Sequence, residues 1–269
     1  MELRDCMFEC MQSRRYPVPE PHLDCMLYPK PHDIDVSVSG QGCEAGIEAT
    51  IRANYLACLN AKKAQWLPLI QAHCQKYNQL TDEMYQEDCA LAELQFQLCL
   101  ERCELDNCLA QAQNVLDSSL AICFSTLQTQ LQVCDNAYAQ CVANQQPNCW
   151  EQYLQCVADA YAAYDSCVAQ ALSQYNDAVF FCYASHWDSI RFLEWQIAES
   201  EAKLSQLREE RAITLGLRQQ AWNNLVAAYG QCFAEAQAEA EAMSHPSPNP
   251  ELNCVVTVSL SGRPLDIDP

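Results

Sequence analysis

CDNAYAQCVANQQPNCWEQYLQC, residues 134–156, has two cysteines on each side of Pro147. The position numbers of the facing cysteines add up to 290, and two further cysteines on each side obey the same sum. In two antiparallel helices of equal rise, residue i lies level with residue 290−i. The sequence therefore predicts a helical hairpin whose arms are joined by four disulfides: Cys141–Cys149, Cys134–Cys156, Cys123–Cys167 and Cys108–Cys182.

The spacing of these cysteines along each arm is helical. Successive intervals of 7, 11 and 15 residues total 33 residues, which is nine turns at about 3.67 residues per turn and keeps a long seam nearly straight. Alanines nearby permit the close approach that disulfides need, about 5.5–6 Å between Cα atoms. Two other interpretations stay open: small buried side chains on a coiled-coil seam, and thiols that bind metal.

The region between Gly46 and Ser244 favours very long helices. It contains four Gly or Pro residues in all, and Ala, Gln, Leu and Glu dominate. Thr81, followed by two acids, has the pattern of a helix N-cap. The predicted fold is mainly α: an elongated antiparallel helical hairpin or bundle of three to four long helices, the longest about 90 Å, cross-linked by disulfides. The predicted helices are at about 45–77, 82–144, 148–208 and 212–243.

Both ends of the chain have strand-like segments outside the helical region 44–244. A Pro-rich arm (1–31) precedes an alternating segment (32–43), and a linker leads into a C-terminal strand and tail (245–269). Their antiparallel pairing predicts a small β element and brings Cys43 near Cys254. Unpaired strand edges can also pair with another copy of the chain. The apolar residues concerned are Ile34, Val36, Val38, Val256, Val258 and Leu260.

The other cysteines need different partners, because those of the second predicted helix outside the ladder lie on its opposite face. Helices that fold back at residues 80–82 and near residue 212 predict the pairs Cys74–Cys89, Cys58–Cys103 and Cys99–Cys232. An odd number of cysteines is left, which favours a bond to another chain or a free thiol. The intersubunit candidates lie in the N-terminal arm: Cys6, Cys10 and Cys25.

Composition restricts the partners and the compartment. The chain has 269 residues, 19 of them cysteine, and a formal net charge of −20. This excess of acids argues against nucleic acid, since phosphate binding depends on Lys and Arg. We expect no membrane span, and residues 1–15 lack a signal-peptide pattern. So many cysteines predict an oxidising space, reached by a leaderless route or after leader removal, or reduced thiols that bind metal.

Catalytic residue types form no recognisable motif. The five histidines are scattered, and only His186 lies in a strongly aromatic stretch, where a structural histidine is expected. We find no zinc, phosphate-loop or nucleophile-elbow motif in the sequence. We therefore expect neither an enzyme nor a cofactor.

Three functions stay open. The first is a structural subunit of a disulfide-stabilised filament, appendage or sheath, extracellular or at a cell surface, that assembles with copies of itself. The second is storage of Cu(I) or Zn(II) by thiolates in a helical bundle, favoured by the Cys-x-x-x-Cys pairs Cys6/Cys10 and Cys99/Cys103. The third is a secreted effector or adhesin whose terminal strands bind a host partner.

Overall fold

The computed structural model describes residues 3–266, and within that range there are three helices and two strands. In chain order these are α1 (Leu3–Ser13), β1 (His32–Ser39), α2 (Ile47–Ala143), α3 (Cys149–Met243) and β2 (Val255–Pro264). The predicted fold class is confirmed. The protein is mainly α, with long antiparallel helices cross-linked by disulfides and a two-stranded sheet formed by segments from both ends of the chain.

The predicted helix ends near residues 77–82 and 208–212 are wrong, because α2 and α3 continue through them. Thr81 is not an N-cap: its buried hydroxyl donates to the Tyr77 carbonyl at 2.9 Å, one turn back within α2. Neither region contains Gly or Pro, so the backbone can stay helical. The predicted segments therefore merge in pairs: 45–77 with 82–144, and 148–208 with 212–243.

Residues 144–148 form the turn that fixes the register of α2 against α3. The Gln146 amide donates to the Cys141 carbonyl at 3.1 Å and closes the end of α2. Asn148 has φ 66°, in the left-handed region that asparagine tolerates. Its carbonyl accepts from the Gln152 amide at 3.1 Å and begins α3. The sum of 290 places the midpoint of the facing pairs at residue 145, which lies within this turn.

Two compact units make up the chain. The first comprises the residues up to Tyr16 together with Cys89–Glu201, and the second comprises Pro17–Asp88 and the residues from Ala202 onward. The core of the first unit is thin, because alanines and bridged cysteines occupy many of its buried positions. Its buried residues include Cys10, Cys103, Leu105, Ala112, Leu116, Cys123, Leu127, Cys134, Ala160, Ala171, Cys182 and Ile190.

The second unit has the larger apolar core. α2 contributes Ile51 and Leu59, α3 contributes Leu225, and β1 contributes Ile34, and each of these side chains is fully buried. Fully burying one such side chain contributes roughly 1.5–3 kcal/mol. The hydrophobic effect therefore stabilises this unit more than it stabilises the first.

β1 and β2 pair antiparallel within one chain, as the alternating pattern predicts. The Tyr55 hydroxyl donates to the His32 carbonyl at 2.6 Å, and Arg52 donates to the Ile34 carbonyl at 2.9 Å. These two bonds join the sheet to α2. The facing apolar residues are Ile34 with Leu260, Val36 with Val258, and Val38 with Val256.

Gly40 permits the close approach at the end of the sheet. Its φ is 115°, and a Cβ there would lie 2.0 Å from the Asn253 carbonyl oxygen, so any other residue would clash. This approach brings Cys43 beside Cys254, and their Cα atoms are 4.7 Å apart in a disulfide. The predicted pair Cys43–Cys254 is therefore present.

Candidate functional site

Four disulfides join α2 to α3 in the first unit at the positions that the sum of 290 specifies. Their Cα–Cα distances are 5.7–5.8 Å, within the range usual for disulfides. The register set at the turn is kept along the hairpin because the two helices rise equally. The four bridges are Cys108–Cys182, Cys123–Cys167, Cys134–Cys156 and Cys141–Cys149.

A fifth bridge with the sum of 290, Cys58–Cys232, lies in the second unit, with a Cα–Cα distance of 5.8 Å. The predictions Cys58–Cys103 and Cys99–Cys232 are therefore wrong. Cys58 and Cys103 lie on one continuous helix, and Cys103 is bonded to Cys6. The fifth bridge has a signal in the sequence, because the position numbers 58 and 232 also add up to 290.

Cys74 and Cys89 do not pair either. They are 15 residues apart on one continuous helix, α2, with no turn between them. Cys74 is bonded instead to Cys25 of the arm, with a Cα–Cα distance of 5.4 Å. Cys89 keeps a free, half-buried thiol and is the odd cysteine that the count required.

The arm cysteines are bonded within their own chain, so the intersubunit prediction for Cys6, Cys10 and Cys25 is wrong. The bridges Cys6–Cys103 and Cys10–Cys99 each have a Cα–Cα distance of 5.8 Å. Their position numbers both add up to 109, because α1 lies antiparallel to α2. The arm is thus fastened to the helices of the same molecule.

The four cysteines that join α1 to α2 form a compact group, the four-cysteine cluster: Cys6, Cys10, Cys99 and Cys103. The sulfurs of Cys10 and Cys103 are 3.5 Å apart although each is bonded to another partner. The sulfurs of Cys6, Cys10 and Cys103 all lie within 4.8 Å of one another, and Cys10 and Cys103 are buried. Across residues 3–266, no other group of three cysteine sulfurs comes so close.

Arg14 fixes the chain just beyond α1 in the first unit. Its guanidinium bonds the Glu93 carboxylate and lies over the Phe96 ring, 4.7 Å from the centroid. A cation over an aromatic face is attracted by the ring quadrupole. This contact and the two bridges hold α1 in a single position on α2.

His186 belongs to a small polar group between α2 and α3. Its Nδ1 lies 3.0 Å from Glu101 Oε2, and Glu104 lies nearby. The carboxylate supplies the partner that a structural histidine needs. Three possible ligand atoms meet here, but His186 and Glu101 already lie at hydrogen-bond distance from each other, and Glu104 is exposed.

A stripe of exposed apolar side chains follows α3 in the first unit. Four of them recur every 11 residues, which is about three helical turns, so they lie on one line along the helix. Each is exposed over 43–57 % of its surface. The α3 stripe comprises those four residues, Trp150, Tyr161, Leu172 and Tyr183, together with Leu154, one turn after Trp150, and Trp187, one turn after Tyr183.

The segment that carries the α3 stripe has charges of one sign only. From Cys103 to Ile190 there are nine Asp or Glu and no Lys or Arg.

No family model, curated protein or solved structure matches this chain. Its function must therefore be inferred from its own residues. Across the described residues, no helical segment combines the length and the apolar character of a membrane span.

Aromatic rings gather where the α3 stripe begins. Trp150 and Tyr153 stack with centroids 5.5 Å apart, and both contact Tyr138 of α2. The Tyr153 hydroxyl donates to Asp135 at 3.0 Å, and this bond, with the carboxylate charge, raises the pKa of Tyr153. These contacts restrain Trp150, so less side-chain entropy is lost if a partner covers it.

The second unit has a cavity of about 250 Å³, lined by Pro29, Tyr55, Tyr229 and Phe233 among others. Within the described part of the chain, the buried Tyr229 hydroxyl has no hydrogen-bond partner. Burial raises the pKa of Tyr229 to about 12. The phenol therefore stays protonated well above neutral pH.

Proposed function

We propose that this protein is a structural subunit that assembles with copies of itself in an oxidising, extracellular setting. The α3 stripe is the observation that supports this proposal best. Large exposed apolar side chains that recur on one line of a helix are typical of interaction surfaces. We assign no catalytic activity and no cofactor to the chain.

The hairpin of the first unit offers a reason for the exposure. Two helices bury one face of each against the other and leave the remaining faces in water. The disulfides stabilise this pair without a third helix, because each bridge restricts the unfolded chain and contributes typically 2–4 kcal/mol. The free faces can then serve association instead of folding.

The partner that fits the α3 stripe is the same stripe of another copy. In an antiparallel two-fold pairing, residue i lies opposite residue 333−i. Trp150 then faces Tyr183, and Tyr161 faces Leu172. An interface of this kind is isologous, the commonest arrangement in homodimers. It joins two copies without any bond between cysteines, which agrees with the intrachain bridges of the arm.

Like charges oppose this association. Each copy brings nine carboxylates and no Lys or Arg in the segment 103–190. Salt screens such repulsion over about 10 Å at 0.1 M ionic strength, and it does not weaken apolar contacts. We therefore expect added salt to strengthen self-association, opposite to an assembly held by ion pairs.

The bridges support the extracellular setting. Eighteen of the 19 cysteines are paired within the chain, and such a density of disulfides is typical of oxidising compartments. Storage of many metal ions receives less support, since most cysteines form isolated couples with two sulfurs each.

Self-association can be tested by analytical ultracentrifugation of the oxidised protein. We expect reversible oligomers whose formation strengthens with salt. Tyr161→Glu/Leu172→Glu should weaken association at least about tenfold, since a carboxylate must lose its hydration at the interface. Leu215→Glu/Leu217→Glu is the matched control, because both leucines are exposed on α3 in the second unit. A wild type that stays monomeric at every concentration and salt, or a control that weakens association equally, would refute the proposal.

A further inference from the structure

We propose that the four-cysteine cluster binds one Zn²⁺ ion as a tetrathiolate in the reduced chain, before its cysteines are oxidised to Cys6–Cys103 and Cys10–Cys99. Zinc binding would take place in the reduced chain, before its disulfides form. It does not depend on self-association, so either proposal can fail without the other.

Helix geometry brings the four ligands together. Cys6 and Cys10 are four residues apart on α1, and Cys99 and Cys103 are four residues apart on α2, so each pair lies on one face of its helix. Because the helices are antiparallel, the two pairs face each other. Four thiolates on two rigid helices form the kind of ligand set that structural zinc uses.

The distances between the sulfurs suit one ion. Tetrahedral Zn²⁺ holds sulfurs at about 2.3 Å, which places them roughly 3.8 Å from one another. The sulfurs of Cys10 and Cys103 are already 3.5 Å apart, and Cys6 lies within 4.8 Å of both. Opening the two S–S bonds frees the side chains to rotate toward one ion, and Cys99, which is bonded to Cys10 and lies outside that group of three, has to turn farthest.

The cluster is selective because the other cysteines offer too few ligands. Each ladder bridge, such as Cys123–Cys167, contributes two sulfurs, and the other ladder bridges lie at least seven residues away along the helix. Seven residues are about 10 Å, too far for sulfurs of two rungs to share one ion. Two thiolates bind zinc more weakly than four, so the first equivalent of Zn²⁺ should enter the cluster.

Binding and oxidation exclude each other. Four thiols bind Zn²⁺ and release four protons, which leaves a site of net charge −2. Two molecules of a disulfide oxidant, glutathione disulfide or a protein disulfide, then accept four electrons in total. With four protons from solvent they become four thiols, while two S–S bonds form in the cluster and Zn²⁺ leaves. Atoms and charges balance in both steps.

A bound ion would direct the pairing of the arm. It holds α1 antiparallel to α2 with Cys6 near Cys103 and Cys10 near Cys99 before any bridge exists. The free thiol of Cys89, ten residues before Cys99 on α2, is then less able to compete for an arm cysteine. Zinc thus acts as a template for the native bridges.

Alkylation footprinting of the full-length reduced protein tests the site directly. The protein is reduced with a phosphine, given one equivalent of Zn²⁺, treated briefly with iodoacetamide and mapped by mass spectrometry. We expect alkylation to slow at least about tenfold at the four cluster cysteines and little at the other fifteen. Protection spread evenly over all 19 cysteines, or no protection, would overturn the proposal.

Two variants with equal losses of thiols supply a second measurement. With Co²⁺ as the probe, the first equivalent should give the absorption bands of a tetrahedral tetrathiolate in the wild type and in Cys123→Ser/Cys167→Ser. Cys6→Ser/Cys103→Ser should lose these bands, because two ligands are missing. Equal spectra for the two variants would contradict the assignment. Glutathione disulfide should then release about one Zn²⁺ per wild-type chain.

Discussion

Reducing the disulfides, with a chelator present to exclude zinc, is expected to lower the melting temperature by more than about 15 °C. Each bridge typically contributes 2–4 kcal/mol, and a whole domain is stable by only about 5–15 kcal/mol. The first unit should lose the most, because its thin core relies on bridged cysteines such as Cys123 and Cys134. Thermal melting followed by far-ultraviolet circular dichroism measures the change.

The bridges will not contribute independently, since the ladder loops are nested. Once Cys141–Cys149 closes the turn, 8 of the 22 residues between Cys134 and Cys156 are already restricted. The second bridge therefore removes less entropy than it would alone. Cys89→Ser in the oxidised protein is the control, because it removes the thiol that forms no bridge. If reduction shifted the melting temperature by less than about 5 °C, the bridges would not be the main stabilising element.

Leu225→Ala is expected to cost about 3–4 kcal/mol of unfolding free energy, since it opens a cavity in the core of the second unit. Leu225 is fully buried in the core cluster to which α2, β1 and β2 also contribute. Leu215→Ala removes the same atoms from a side chain that is 41 % exposed on the same helix, and should cost less than about 1 kcal/mol. Denaturant titration of the oxidised proteins compares the two. Equal costs would mean that this core is not packed as described.

The hairpin could be predicted from the sequence because it depends on the constant rise per residue of an α-helix and on one local turn. Helical rise is the same in both arms, so one fixed point near residue 145 determines the level of every later pair. Pro147 and Asn148 mark that point in the sequence. The positions of Cys58 and Cys232 also add up to 290, so this bridge could be predicted in the same way.

Two of the three wrong bridges follow from the pattern at Thr81, and the third, Cys99–Cys232, follows from the turn predicted near residue 212, through which α3 continues. Thr81 was interpreted as a cap, whereas its hydroxyl bonds back to Tyr77 inside a continuous helix. A threonine hydroxyl can accept a bond from a backbone amide at a cap or donate one to the carbonyl one turn back, and the tertiary environment decides between the two. The false turn then placed Cys74 against Cys89, and Cys58 against Cys103.

The position of the arm could not be predicted, because it depends on single long-range contacts. The amide of Leu23 donates to Asn78 Oδ1 at 2.8 Å, and Asn78 donates back to the Leu23 carbonyl at 2.9 Å. A Pro-rich segment has no apolar periodicity that would reveal such a partner. The terminal strands were easier, since the alternation of Ile34, Val36 and Val38 shows which face is apolar.

Peptide mapping of the oxidised protein under non-reducing conditions tests the pattern of bridges most directly. Pepsin is needed, since the segment 103–190 contains no Lys or Arg and has Glu only at positions 104 and 151. A mixture of unlabelled and ¹⁵N-labelled protein, oxidised together, separates bonds within a chain from bonds between chains. We predict eight linked pairs with both peptides of one isotope, the Cys141–Cys149 bridge as a loop within one peptide, and alkylation at Cys89 alone. Pairs of mixed isotope at Cys6, Cys10 or Cys25, or a bridge at Cys89, would contradict the structure described here.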